Sequence, residues 1–130
     1  MKPIEISYFS DLLCIWAWFE EPRLNSVRTH FGARVTIVPR FCSVFGDTAR
    51  KIPAAWGDKG GYDGFNAHLM HAAAGFPEIP VNPDIWRSVR PASSLSPQLM
   101  VKAVALAGGD SVAATLALRT AFFIEARDIA

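Results

Sequence analysis

The start of the chain alternates between strand-type and helix-type patterns of apolar residues. Ile4 to Phe9 combines β-branched and aromatic residues with a polar–apolar alternation, which predicts a strand. From about Ile15 to Phe31 the pattern is helical, because Leu24, Val27 and Phe31 recur at spacings of three and four residues. This spacing predicts a helix with one face buried against the rest of the protein.

A second strand is predicted soon after this helix. Gly32 is a natural helix stop, and Arg34 to Val38 is rich in β-branched residues. Pro22 lies inside the helix and is expected to kink it, since proline removes one intrahelical hydrogen bond. Two strands joined by one helix form a βαβ unit, so the strands are expected to be parallel.

Beyond Phe45 the chain carries helical patterns broken by glycine and proline. A final helix, with Asp110 or Ser111 as its N-cap, is predicted to run to about Arg127, and an irregular segment surrounds Trp86. The other predicted elements are a helical turn over Asp47–Ile52, a loop over Pro53–Gly64, a helix over Asn66–Ala74, and a helix over Gln98–Ala107 with Ser96 as N-cap and Pro97 at its first position.

Composition narrows the class of protein. The chain has 130 residues, 51% hydrophobic and 19% charged, which suits one globular domain. A net charge of +1 with interspersed signs gives no electrostatic footprint for nucleic acid or an anionic membrane. Neither a transmembrane run nor a signal peptide is recognisable, so we expect a cytoplasmic protein. Only two cysteines are present, which excludes a disulfide scaffold.

One of these cysteines, Cys14, falls at the junction between the first strand and the first helix. At a helix N-terminus the backbone N–H groups are unpaired and the helix dipole is positive. Both favour a thiolate, which is the nucleophilic form of cysteine. Cys14 is therefore the candidate catalytic residue.

The run Asp11-Leu-Leu-Cys14-Ile-Trp16-Ala17 resembles the active-site turn of the DsbA family of thioredoxin-like thiol oxidoreductases (DsbA/FrnE-type). In that family the pattern Asp-x-x-Cys-x-Trp-Cys follows the first strand. Asp11, Cys14 and Trp16 match, whereas Ala17 stands in place of the second cysteine. The order of elements and the tail Ala121–Ile129 also resemble the family's helical insertion.

The resemblance implies an α/β fold: a thioredoxin-like βαβ unit over residues 1–45, followed by a DsbA-like helical insertion over residues 46–130. In the family two more strands and a helix follow, and a cis-proline loop faces the cysteine. We expect these C-terminal strands to be missing from residues 1–130, which would then form a single, incomplete domain. Its complement would be residues beyond Ala130, another chain, or a second copy in a homodimer.

The resemblance also implies a chemistry. In a dithiol site the first thiolate attacks a disulfide and the second resolves the intermediate. Ala17 cannot resolve it, so Cys14 would act as a monothiol, with glutathione as co-substrate, or with Cys42 as the internal alternative at the same sheet edge. Ser10, Asp11, Trp16 and Ala17 are the predicted substrate-binding residues, of which Trp16 would shape the thiol pocket.

Two other functions stay open. The related hydroxychromene-carboxylate isomerases and kappa-class glutathione transferases share this fold and activate glutathione with a serine near the turn. By that resemblance, Cys14 or Ser10 would donate a hydrogen bond to an external thiolate. The third interpretation is a binding domain without catalysis.

Two further motifs are assigned no chemistry. His68 and His71 share a predicted helix face but lack completing ligands, so no metal site is predicted. Gly57–Gly61 lacks the phosphate-loop pattern and is interpreted as a surface loop.

Overall fold

A computed structural model describes residues 2–130. Strand β1 (Ile4–Ser10) and strand β2 (Val35–Phe41) form a parallel pair, with Ile4 opposite Val35 and Ser10 opposite Phe41. Helix α1 (Ile15–Phe31) connects them through a short 3₁₀ turn. The predicted βαβ unit with parallel strands is confirmed, and with it the predicted α/β class.

Strand β2 is longer than predicted, because it continues through Pro39 to Phe41. A proline lacks the N–H that a central strand needs, but it is tolerated on an edge strand. Within residues 2–130, β2 pairs only with β1, so it is such an edge. The backbone N–H of Cys42 then donates to the carbonyl of Ser10 at 2.9 Å, which carries the pairing to the start of the Cys14 turn.

The main elements after β2 in the described chain are five α-helices joined by loops and turns. None of them is both long and apolar enough to cross a membrane. They are α2 (Thr48–Trp56), α3 (Gly61–Ala73), the single-turn α4 (Ile85–Ser88), α5 (Leu95–Leu106) and α6 (Ser111–Phe123).

The predicted loop over Pro53–Gly64 is wrong. This segment contains the end of α2, a 3₁₀ turn and the start of α3. Its glycines form a tight connection between α2 and α3, called the joint below. Gly60 has a φ of 92°, which favours glycine, and a Cβ on Gly64 would lie 1.8 Å from the Lys59 carbonyl oxygen. Packing of Trp56 against Phe65, with ring centroids 5.5 Å apart, holds the joint and overrides the weak local helix propensity.

Two helix boundaries also differ from the prediction. Helix α5 begins at Leu95, so Ser96 is not its N-cap, and Ser93 Oγ accepts the Leu95 N–H at 3.1 Å. Helix α6 ends at Phe123 rather than near Arg127. Its predicted cap is confirmed, because the Asp110 carboxylate accepts from the first free N–H groups of the helix.

Helices α2 to α6 form a layer, called the helical layer below, and the core lies between this layer and the first turns of α1. Trp18 stacks on Phe123 with ring centroids 5.6 Å apart, and Trp86 packs edge-on against Phe122 at 5.4 Å. Each such aromatic contributes about 1.5–3 kcal/mol through burial. The predicted face of α1 is only partly buried, and Phe31 at its end is exposed, because the helical layer covers mainly the N-terminal half of α1.

Both strands are edge strands within residues 2–130. Ile4 and Phe9 of β1 are 68% and 70% exposed, and among the described residues β1 pairs only with β2. A groove of about 650 Å³ adjoins Phe9, between β2 and α5. The homodimer and the complementing segment stay predictions.

Candidate active site around Cys14

Cys14 is the N-cap residue of α1, with extended backbone angles and a half-buried side chain. Its backbone N–H donates to the Asp11 carbonyl at 3.1 Å, and its carbonyl accepts from Trp18 N at 3.2 Å. No side chain caps the helix, and no acidic residue lies in its first turn. The unpaired N–H groups of the first turn are therefore available to an anionic sulfur or to a substrate.

Asp11 holds the turn from inside. The side chain is 1% exposed, and its Oδ1 accepts the Leu13 N–H at 2.9 Å. Its Oδ2 accepts from Phe45 N at 2.9 Å and from Ser94 Oγ at 2.7 Å. One carboxylate thus joins the turn, the segment after β2 and the start of α5.

Two further polar side chains reach the same turn. Gln98 of α5 accepts the Leu12 N–H through Oε1 at 3.0 Å. The fully buried Arg119 of α6 donates to Ser10 Oγ at 3.0 Å and to the Asp11 carbonyl at 3.1 Å. The helical layer therefore fixes the backbone that carries Cys14.

The structure places the sequence-predicted substrate-binding residues in different surroundings. Ser10 and Asp11 are buried and bonded to groups inside the protein, so their observed contacts support the turn. Ala17 is also buried, at 4% exposure. Trp16 is 56% exposed and packs edge-on against Phe19, with ring centroids 5.6 Å apart. Trp16 alone among these four presents a broad surface beside Cys14.

A cavity of about 110 Å³ adjoins Cys14. Apart from the thiol and the His68 ring, its lining is apolar. The full set of lining residues is Leu13, Cys14, Ile15, Trp16, Phe45, Phe65, His68, Leu69 and Ala72. A cavity of this size and character suits a small apolar group bonded to a sulfur beside the Cys14 thiol.

Sequence reasoning gave His68 no role at a thiol site. The structure brings His68, on α3, to the cavity that Cys14 lines, and its ring lies 5.1 Å from that of Trp56. His71 does not line this cavity. Within residues 2–130, no group of three or more His, Cys, Asp or Glu side chains is arranged to hold a metal ion.

Cys42 is exposed and directly follows β2, and its backbone N–H donates a hydrogen bond to the Ser10 carbonyl. The two cysteines therefore lie at the same end of the sheet, as the parallel topology predicted. Both are free thiols.

The ionisable side chains beneath the turn are Tyr8, Arg119 and Glu21. Burial raises the pKa of the Tyr8 phenol above its usual value, and the nearby Arg119 guanidinium partly offsets this effect. The carboxylates of Glu21 and Glu20 act in the same direction as burial. Tyr8 is therefore neutral at physiological pH, and the charged pair beneath the turn is Arg119 with Glu21, 2.7 Å apart.

Sequence reasoning missed Ser94, Gln98 and Arg119 as supports of the site. Ser94 and Gln98 carry no recognisable signal, because serine and glutamine are common around a helix start. Arg119 does carry one: it is the single charged residue in α6, whose other residues are apolar, small or hydroxyl-bearing. A lone charge in such a helix indicates a buried partner.

No protein-family model and no curated protein sequence matches this chain. Solved structures do match. The cytosolic disulfide reductase DsbM from Pseudomonas aeruginosa superposes with a TM-score of 0.68 at 18% sequence identity, over 97% of this chain and 58% of that chain. The same protein with GSH gives a TM-score of 0.66 at 20% identity, with the same coverage. The chain has a DsbA-like fold.

This DsbA-like fold confirms the predicted architecture. At this level of identity the likeness concerns the fold, and function is argued from the site. The chain spans 58% of the length of the DsbM structures, so the remaining part of those proteins has no counterpart among the residues compared.

Proposed function

We propose that this protein performs thiol–disulfide exchange through one thiol, that of Cys14. The observation that carries the proposal is the placement of Cys14: half-buried at the uncapped N-terminus of α1, in the wall of an apolar cavity. Helix N-termini activate thiols in this position. The DsbA-like fold and its disulfide-reductase neighbour support the assignment.

The first step is attack of the Cys14 thiolate on one sulfur of a substrate disulfide. A bond forms between Cys14 and that sulfur, the substrate S–S bond breaks, and the second substrate sulfur leaves as a thiolate that takes a proton from solvent or an acid. His68 is the one ionisable side chain besides Cys14 among the residues that line the cavity, and it would serve as that acid. A small apolar substituent on the attacked sulfur would occupy the cavity.

The second step needs an external thiol. Ala17 has no sulfur, so an intramolecular disulfide within this turn cannot form. Glutathione thiolate would attack the mixed disulfide, releasing Cys14 as the thiolate and carrying the substrate sulfur away as a glutathione mixed disulfide. A structural neighbour solved with GSH supports glutathione as the co-substrate. Such a cycle suits a reducing compartment such as the cytoplasm.

The glutathione-dependent isomerase or transferase is the weaker alternative. It would use Ser10 or Cys14 to donate a hydrogen bond to bound glutathione thiolate. Ser10 is 8% exposed and its oxygen accepts from Arg119 at 3.0 Å, so it is poorly placed for an external thiol. In that mechanism Cys14 would bind glutathione without forming a covalent bond.

Incubation with oxidised glutathione tests the proposal. We expect one glutathione adduct on Cys14, located by peptide mapping after mass spectrometry, and its removal by reduced glutathione. Cys42→Ser should retain the adduct and Cys14→Ser should lose it. Reduced glutathione that binds in calorimetry without any adduct from oxidised glutathione would favour the isomerase or transferase. Neither adduct nor binding would favour a non-catalytic binding domain.

A further inference from the structure

Arg119 lies in α6, far in sequence from the Cys14 turn, yet its hydrogen bonds all go to that region. The side chain is fully buried. Its guanidinium donates to the segment between the end of β1 and the second turn of α1. The four acceptors are Ser10 Oγ at 3.0 Å, the Asp11 carbonyl at 3.1 Å, the Leu12 carbonyl at 3.4 Å and Glu21 Oε1 at 2.7 Å.

Packing alone does not account for an arginine here. A buried charge costs desolvation free energy, and an apolar residue of similar size usually stabilises such a position as well or better. Arg119 also requires a second buried charge, Glu21, whose side chain is only 11% exposed. The role of the Arg119–Glu21 pair is therefore to be found in its hydrogen bonds to the turn before Cys14.

The contact with Asp11 shows what that role is. Its carbonyl oxygen accepts two hydrogen bonds, one from Arg119 Nη2 and one from the backbone N–H of Cys14, both at 3.1 Å. The guanidinium and the cysteine backbone thus share one acceptor. Together with the hydrogen bonds to Ser10 and Leu12, this contact immobilises Ser10, Asp11 and Leu12, which precede Leu13 and Cys14.

We propose that Arg119 is a positioning residue for the Cys14 thiol. Its planar guanidinium, with five N–H donors, holds three consecutive residues, Ser10 to Leu12. It thereby fixes the direction in which the chain enters α1 at Cys14, and with it the position of the thiol. Lysine would retain the charge for Glu21 but could not reach these acceptors together. The inference rests on the proposed function of Cys14.

The test compares the reactivity of the two cysteines within one sample of the full chain. Iodoacetamide alkylates a thiolate with loss of iodide, and peptide mapping gives separate rates for Cys14 and for the exposed Cys42. In Arg119→Lys we expect the ratio of the Cys14 rate to the Cys42 rate to fall about tenfold, because small misplacements of a reacting group are costly. The equilibrium between Cys14 and its glutathione mixed disulfide should shift as well.

Phe122→Leu is the matched control. Phe122 is fully buried on the same helix and has no hydrogen bond to the turn. This variant should lower the melting temperature and leave the rate ratio unchanged. If Phe122→Leu lowers the ratio as much as Arg119→Lys does, the effect is general destabilisation and the inference fails.

The other outcomes separate this inference from the proposed function. An unchanged ratio in folded Arg119→Lys, with Cys14 still forming the glutathione adduct, overturns the positioning role alone. A parent protein whose Cys14 forms no adduct contradicts the proposed function instead. If Arg119→Lys does not fold, Ser10→Ala replaces it: loss of one acceptor should lower the ratio about twofold, and no change there overturns the inference.

Discussion

The carboxylate of Asp11 accepts a hydrogen bond from Ser94 Oγ at 2.7 Å, although 83 residues separate them and both side chains are buried. The same carboxylate oxygen accepts the Phe45 N–H. The turn before Cys14 is therefore locked to two distant segments. Asp11 was predicted to bind substrate, but its observed hydrogen bonds all stabilise the turn that carries Cys14.

Replacement of Asp11 should be strongly destabilising. Asp11→Ala leaves the Leu13 and Phe45 N–H groups and the Ser94 hydroxyl without their acceptor, and we expect a loss of about 3 kcal/mol in the free energy of unfolding. Ser94→Ala removes one of these bonds and should cost about 1 kcal/mol. Urea titrations of both variants and of the double variant give the coupling. Equal stability of Asp11→Ala and the parent would contradict this account.

Ala17→Cys should convert the site to a dithiol. Residue 17 lies three positions after Cys14, in the first turn of α1, which is the spacing of a Cys-x-x-Cys dithiol motif. We expect the variant to form an internal disulfide and to accelerate insulin reduction by dithiothreitol beyond the parent. Ala17→Ser is the control of similar size without sulfur. A variant no faster than this control would show that the turn geometry does not support resolution.

The cavity beside Cys14 should select small apolar reagents. Butyl methanethiosulfonate should modify Cys14 faster relative to Cys42 than the charged sulfonatoethyl reagent does, since the cavity walls are apolar. Ala72→Val narrows this cavity and should reduce the butyl preference by about fivefold, an effect of about 1 kcal/mol. The small methyl reagent is the control and should be unaffected. Equal ratios for the butyl and charged reagents would exclude the cavity as a substrate subsite.

Tyr8 should make the protein sensitive to alkali. Burial raises the pKa of its phenol above the ordinary value of 10.0, with Arg119 partly opposing and Glu21 reinforcing the shift. The neutral phenol is favoured in the folded state, so its contribution to stability is complete below the unfolded pKa. That contribution is lost as the pH rises through the folded pKa.

The comparison variant is Tyr8→Phe, which cannot ionise. Its difference in unfolding free energy from the parent should be constant between about pH 7 and 9 and should move in its favour above about pH 10. Parallel stability curves for the two proteins up to pH 11 would show that ionisation of Tyr8 is not coupled to folding.

Local patterns in the sequence were sufficient for the βαβ unit at the start of the fold. Alternation in Ile4–Phe9, helical spacing after Ile15 and the β-branched run after Gly32 each describe one element, and a helix between two strands restricts them to a parallel pair. The same local information placed Cys14 at the start of α1 and showed Ala17 in place of a second thiol.

Tertiary structure alone decided what surrounds that cysteine. The periodicity of an element shows which face is buried but not which distant residue it meets, so the partners of Asp11 in Phe45 and Ser94 could not be predicted. The shared cavity of Cys14 and His68 and the reach of Arg119 to the turn depend in the same way on how separate helices pack. The joint around Gly60 was misjudged for the related reason that aromatic packing outweighed the local preference of glycine.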